Sequence, residues 1–265
     1  MSLPTSRTLL RLTGADTRPF LQGLISQNID ALSATTPIAS TLLTPQGKIL
    51  FDFFLYEVDG DILLDCASEA SAALQKKLKL YKLRADVAIA PEESLSLATA
   101  PSPIDGPHAW QDPRSENIGW RAVTASAAPN DETYHQRRIA ACVPEWGADF
   151  QSDEIFLMDV NFDCLASVDY KKGCFVGQEV TSRMKRKGDA RKRTLGLEFE
   201  GTPPTLGAEL VSDQTTIGEC LSGIDGGGLA LVRLDRWARV RDGGGAITCE
   251  GRDVLISLPS FLETQ

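Results

Sequence analysis

Histidine is nearly absent from this 265-residue chain: only His108 and His135 occur, and they lie far apart. Cysteine is present but scattered, at Cys66, Cys142, Cys164, Cys174, Cys220 and Cys249, and no C-x-x-C pair is written. Neither a zinc ribbon nor a thioredoxin-type motif can be read from that spacing, and nothing in it announces a structural metal or a permanently held cluster. No apolar run approaches the length of a membrane span. The opening residues M-S-L-P-T-S-R-T lack a charged segment followed by an apolar one, so no secretory signal is expected, and the free thiols point to a reducing compartment; the expectation is a cytoplasmic protein. The glycine runs at 226–228 and 243–245 lack the lysine and following helix of a phosphate loop and are expected to be flexible hairpin loops.

What is present is ordinary in amount and uneven in placement. Hydrophobic residues make up 42% and charged residues 24%, as in a soluble globular protein with a sizeable core. The net charge is −9, yet residues 171–193 hold nine Lys/Arg against Glu179 and Asp189, a local +7 that leaves −16 on the remainder. An acidic body argues against general nucleic-acid binding; a confined basic segment suits a small anionic partner or an anionic protein patch.

The pattern of elements is mixed up to about residue 190. Thr8 to Thr13 reads as a strand, and a helix capped at Asp16 or Thr17 follows, carrying Phe20, Leu21, Leu24 and Ile25 at helical spacing. Strands at Pro37–Leu43, Lys48–Val58 and Asp61–Cys66 form a meander, the last two joined by an Asp59-Gly60 hairpin turn. A helix from Ser68 presents Leu74, Leu78 and Tyr81, and short strands are expected at 86–90, 94–100 and around Trp120. Residues 101–131 are otherwise connections, with Asp112-Pro113-Arg114 a turn and Arg114 solvated. A helix is expected from Asp131 or Glu132 through Cys142, with His135 an ordinary helix residue. Beyond Arg193, short strands at turn-punctuated spacing indicate a small β-barrel or sandwich. The fold class is α+β, divided into residues 1–190 and a β-barrel domain at 191–265.

Two places carry candidate chemistry. Asp52 lies inside the apolar strand I-L-F-D-F-F-L, on the same face as Leu50 and Phe54. Either that face meets water, or the carboxylate is paired, neutral or part of a site; spacing leaves both open. The second place runs from Asp169 to Arg193, D-Y-K-K-G-C-F-V-G-Q-E-V-T-S-R-M-K-R-K-G-D-A-R-K-R. A helix is expected from Val176 to Lys187, stopped by Gly188, which sets Cys174 just before a helix N-terminus and beside Lys171 and Lys172. Those surroundings can lower a thiol pKa, although a lone cysteine between glycines is more often a small buried residue in a tight turn. Asp159 and Asn161, alternating with apolar neighbours in I-F-L-M-D-V-N-F-D, point either into a site or into structural hydrogen bonds.

The string Lys172-Gly173-Cys174-Phe175-Val176-Gly177-Gln178-Glu179 resembles the K-G-C-[YF]-x-G-Q-E signature of the YgfZ family, folate-binding relatives of the glycine-cleavage T-protein (aminomethyltransferase), without a departure. The block F-L-Q-G-L-I-S-Q-N near the start and the phrase Tyr134, Arg138-Ile139, Val143-Pro144-Glu145 are similar to further family blocks. The resemblance implies a T-protein-like arrangement of ferredoxin-like lobes around a central cavity, plus the C-terminal barrel. It implies tetrahydrofolate or a derivative as cofactor, with Asp52, Asn28, Asp159, Asn161, Lys172, Gln178 and Glu179 as candidate contacts. It implies iron–sulfur client or assembly proteins as partners, and a redox or cluster-related role for Cys174. The family's aspartate pair departs here: Asp52 keeps the second carboxylate and Phe51 replaces the first, so folate contact is expected and transferase chemistry is weakened. An aminomethyltransferase-type one-carbon enzyme and a ligand-free interaction module stand as alternatives.

Overall fold

The computed structural model of the chain describes residues 6–126, 131–188 and 190–263; part of the stretch 125–131 read as a connection, and Asp189 of the basic segment, lie outside them. The first half builds one antiparallel sheet. Its members are β1 (Arg7–Thr13), β2 (Ile38–Leu43), β3 (Ile49–Val58), β4 (Asp61–Ala67) and β5 (Ala88–Glu92), in the order β2-β3-β4-β1-β5. Helices α1 (Thr17–Gln22) and α2 (Ser68–Lys82) interrupt the strands. The β3–β4 turn is Asp59-Gly60, both at positive φ (53° and 86°), the backbone that suits a two-residue hairpin. Helix α1 is shorter than its apolar spacing suggests; it ends at Gln22, and Leu24 and Ile25 are buried in the turn that follows.

Strand β3 decides how the layers stack. Phe51, Phe53 and Leu55 face α2, where they join Leu74 and Leu78 in the main core. The alternate residues Phe54 and Tyr56 face the other way and pack with Trp110 and Val123. Both faces are therefore covered, and Asp52 faces protein rather than water, with 8% exposure. The second cover is a small sheet of β6 (Ser96–Ala100), β7 (Ala109–Gln111) and β8 (Trp120–Thr124), ordered β6-β8-β7. Strand β7 is too short to show an alternating pattern of its own.

Helices α3 (Tyr134–Ala140) and α4 (Gln178–Lys187) follow. The chain then forms a seven-stranded sheet of β9 (Lys192–Glu198), β10 (Glu209–Ser212), β11 (Thr215–Ile224), β12 (Gly227–Arg233), β13 (Thr248–Cys249), β14 (Arg252–Asp253) and β15 (Leu255–Ser257), in the order β14-β13-β10-β11-β12-β9-β15. Helix α5 (Leu234–Gly243) leaves β12, and α6 (Ser260–Glu263) ends the described chain. Helix α5 corrects the sequence reading: Gly243 closes this helix and Gly244, at φ 67°, caps it, so these glycines end a helix instead of turning a hairpin. Leu234, Trp237 and Val240 recur every third residue and pack on the barrel core, and that period wins over strand propensity.

Candidate functional site

The K-G-C loop is held by the block near the chain start. Lys172 reaches across with Nζ donating to the carbonyls of Ile25 (2.6 Å) and Gln27 (2.8 Å). The Asp169 N–H donates to Ser26 O (3.1 Å), and Ser26 Oγ donates to Ser167 O (2.6 Å). Gln22 Nε2 bridges Asn28 Oδ1 (3.0 Å) and the Lys172 carbonyl (3.4 Å). Two motifs far apart in sequence thus form one clasp. Half-buried in it, the Lys172 ammonium has its pKa pulled down to about 8, first by desolvation.

Cys174 projects from this clasp. It alone of the six thiols is exposed; Cys66, Cys142, Cys220 and Cys249 are buried and Cys164 is intermediate. Its placement corrects the expected one. Helix α4 begins at Gln178, with Gly177 as its N-cap at φ 81°. A Cβ on Gly177 would stand 2.6 Å from the Thr44 carbonyl, so the backbone must swing left-handed there to pass the β2–β3 turn. Cys174 therefore lies four residues ahead of the first helical residue. Helix α4 buries only Thr181, and exposes Arg183, Lys185, Arg186 and Lys187 as a basic face.

Asp52 sits at the edge of a buried ionic network. Arg7 Nε binds Asp65 Oδ1 (2.7 Å). Arg121 binds Asp65 Oδ2 (3.0 Å), Asp112 Oδ2 (2.8 Å) and Tyr134 OH (2.8 Å), with its guanidinium 3.7 Å above the Phe54 ring. Arg114 forks onto Asp112 and reaches Glu145 Oε1 (2.9 Å). Arg138, fully buried, binds His135 Nδ1 (2.9 Å), Asp149 Oδ2 (2.8 Å) and Ser222 Oγ (2.8 Å). The network joins β1, β4 and β8 to α3, the loop after it and strand β11 of the barrel. Buried guanidinium–carboxylate pairs of this kind need further hydrogen bonds to offset their desolvation, and here every guanidinium nitrogen of Arg114 and Arg121 donates at least one bond.

Four arginines (Arg7, Arg114, Arg121, Arg138) thus face the carboxylates Asp52, Asp65, Asp112, Glu145 and Asp149. One carboxylate is in excess, and among the described residues Asp52 is the one without a side-chain partner; the Trp146 backbone N–H reaches it. Burial, opposed by Arg7 and reinforced by Glu145, pushes its pKa up to about 6. Arg114 corrects the sequence reading: a turn residue expected in solvent is 6% exposed, because Asp112 and Glu145 close around it. His135 is buried, and desolvation and Arg138 hold its pKa down, which leaves it a neutral acceptor.

The remaining candidates do not gather at Asp52. Asn28 caps a short 3-10 turn, its Oδ1 accepting the Asp30 N–H (3.1 Å). Asn161, fully buried at φ 61°, donates to Thr194 O (2.6 Å) at the root of β9. Asp159 accepts the Phe156 N–H (3.2 Å) and lines a cavity of about 420 Å³ against the barrel, with Glu154, Lys192, Glu219 and Cys220. Gln178 and Glu179 form the first turn of α4. A second cavity of about 360 Å³ lies between Phe51, Ala70, Ala73, Lys77 and Trp146. Neither cavity is lined by Asp52. Sequence reasoning passed over Asp65 and Arg121, although each carries the signal that marked Asp52: a charge inside an apolar strand, I-L-L-D-C-A or W-R-A-V-T. Among the described residues, no group of three or more His, Cys, Asp or Glu side chains is placed to hold a metal ion, and no helix is long and apolar enough to cross a membrane.

Comparison with known proteins fits this geometry. Residues 191–264 match the family model described as CAF17, C-terminal beta-barrel domain. The fold superimposes on the glycine cleavage system aminomethyltransferase T of Bartonella henselae with a TM-score of 0.73 over 98% of this chain and 85% of that one; at 16% identity this shows a shared T-protein fold. The human iron-sulfur cluster assembly factor IBA57, mitochondrial, is 32% identical over 85% of this chain and 75% of its own length. The Neurospora crassa homologue, also named mitochondrial, is 30% identical over 77% of this chain and 55% of its own length. These names overturn the cytoplasmic expectation and point to mitochondria; free thiols suit any reducing compartment, so composition never separated the two. The resemblance to YgfZ proteins, the related bacterial family, is sharpened in the same way: with its T-protein fold, its matching barrel and 32% identity across three quarters of the human protein, the chain belongs to the family of the iron–sulfur cluster assembly factor IBA57.

Proposed function

We propose that the protein is an assembly or repair factor for iron–sulfur proteins whose working group is the Cys174 thiol. One observation carries this reading: the only exposed thiol stands on a loop pinned by Lys172 and Ser26, beside the basic face of α4. An exposed thiolate is a ligand for a cluster or a nucleophile toward its sulfur chemistry. One thiol does not complete a cluster's ligand set, so an acidic protein partner, docked on Arg183, Arg186 and Lys187, brings the rest. The division at residues 190/191, with the barrel as a separate domain, is part of the same proposal.

A reduced folate is the second element. The fit rests on Asp52: its carboxyl accepts the Trp146 N–H and no side-chain donor, so pterin ring N–H groups would satisfy its open lone pairs. The arginines beside it are already engaged, each guanidinium nitrogen of Arg114 and Arg121 donating to Asp65, Asp112, Glu145 or Tyr134. An aminomethyltransferase-like reading draws on the raised pKa of Asp52, which suits a general base. It is weakened by Phe51, which turns into the α2 core where the family's first carboxylate stands.

The test is complementation in cells depleted of the protein, reading the activity of an iron–sulfur enzyme. Cys174→Ser should fail to restore it while melting like the wild type, and iodoacetamide should label Cys174 in the native protein before the four buried thiols. Full restoration by Cys174→Ser sinks the thiol role. Saturable tetrahydrofolate binding, weakened by Asp52→Asn, supports the folate element. No binding removes it and favours a pure interaction module, while methylene transfer dependent on Asp52 would make the chain an enzyme.

A further inference from the structure

A cavity of about 240 Å³ lies away from the K-G-C loop, between the β10–β11 hairpin and helix α5. Ser212, Asp213, Thr215, Ile217, Arg236 and Arg239 line it, with Gly245 beside Ser212. Pockets for drug-sized ligands run about 300–1,000 Å³, so an occupant here is small.

Two features of its wall ask for a ligand. The first is charge. Helix α5 and its approach carry Arg233, Arg236, Arg239 and Arg241 against Asp235 and Asp242. Arg233 pairs with Asp235 (3.1 Å) and Arg241 with Asp242 (3.1 Å). Arg236 donates to the Thr216 carbonyl, and neither it nor Arg239 has a carboxylate within ion-pair distance among the described residues. They stand one turn apart on one helix face, where like charges repel, and both line the cavity. Asp213, on the opposite wall, is the one acidic side chain there. The second feature is Ser212. Ser212 lines the cavity and is 4% exposed, and its hydroxyl, closed off within the wall, has no hydrogen-bond partner among the described residues. Buried hydroxyls are nearly always satisfied, and one that is not marks a missing partner.

We propose that this cavity binds a small oxyanion, phosphoryl or carboxylate, held by the guanidiniums of Arg236 and Arg239 and by the Ser212 hydroxyl. Guanidinium donors are matched to both anions. The barrel end thereby carries a ligand site separate from the thiol loop.

The test is a calorimetric titration of the full chain with inorganic phosphate and, separately, with succinate, at an ionic strength held constant with chloride. At least one anion should saturate the protein. Arg239→Gln and Ser212→Ala should each weaken binding about tenfold. Ser212→Ala should melt no lower than wild type, since its hydroxyl makes no bond to lose. Gly245→Ala should also weaken binding, because its Cβ would stand 3.2 Å from Ser212 Oγ and 3.3 Å from Val240 Cγ1 and narrow the cavity beside Ser212. Saturation by phosphate alone names a phosphoryl ligand, and by succinate alone a carboxylate. Failure of both anions to saturate, or unchanged affinity in Arg239→Gln and Ser212→Ala, overturns the site.

Discussion

Replacing Asp52 by asparagine should stabilise this protein at neutral pH. The carboxyl is buried in a network that already holds one acid too many, and its pKa is raised from 3.8 to about 6. That shift corresponds to about 3 kcal/mol, at about 1.4 kcal/mol per tenfold change in proton affinity. The sign follows from linkage. Below about pH 4 the group is protonated in both folded and unfolded chains and costs nothing. Between about pH 4 and 6 the unfolded chain ionises first, and folding loses stability as pH rises. Above about pH 6 the full penalty is present. Asparagine keeps the shape and the acceptor for the Trp146 N–H and carries no charge. The Asp52→Asn variant should therefore melt higher than wild type by up to about 6 °C at pH 7.5, taking about 2 °C per kcal/mol for a chain this long. The gain should shrink toward zero by pH 4. Paired thermal melts across pH 4 to 8 measure it, and the difference between the two proteins cancels the titration of every other group. A variant that melts lower at pH 7.5, or whose offset does not vary with pH, would refute the reading, since the carboxylate would then be ionised and paired.

Further predictions concern the framework. Arg138→Met removes the cation paired with Asp149 and leaves a buried carboxylate with only its Glu145 and Ser222 hydrogen bonds, so it should cost about 3–5 kcal/mol in urea denaturation; a loss under about 1 kcal/mol would mean that water reaches the network. Gly177→Ala forces a side chain into left-handed backbone and against the Thr44 carbonyl. It should cost at least about 1–2 kcal/mol, and faster amide exchange in α4 should accompany it; unchanged exchange would show that the helix does not depend on that turn.

The first meander and its hairpin were legible because their signals are local: period-two alternation and an Asp-Gly turn. The K-G-C motif was legible as a string, but its environment was not. Cys174 was expected at a helix N-terminus, and one residue, Gly177, displaced the helix start because the β2–β3 turn passes beside it. Likewise Lys172 was read as a neighbour of the thiol, whereas the carbonyls that hold it belong to residues about 145 positions away. Arg114 was placed in solvent because a D-P-R turn looks solvated in isolation; its second carboxylate, Glu145, arrives from another part of the chain.

Alternation, turn chemistry and the eight-residue motif are properties of neighbours along the chain, and by themselves they determined the α+β class and the terminal barrel. Which charges end up buried is a property of neighbours in space. Only the tertiary structure decided that Asp52 is, among the described residues, the acid of its cluster without a side-chain partner, that Cys174 is exposed while four other thiols are sealed, and that two arginines on α5 line one cavity with a serine whose hydroxyl has no partner among the described residues. Desolvation and pairing depend on what packs opposite, and no spacing rule carries that information.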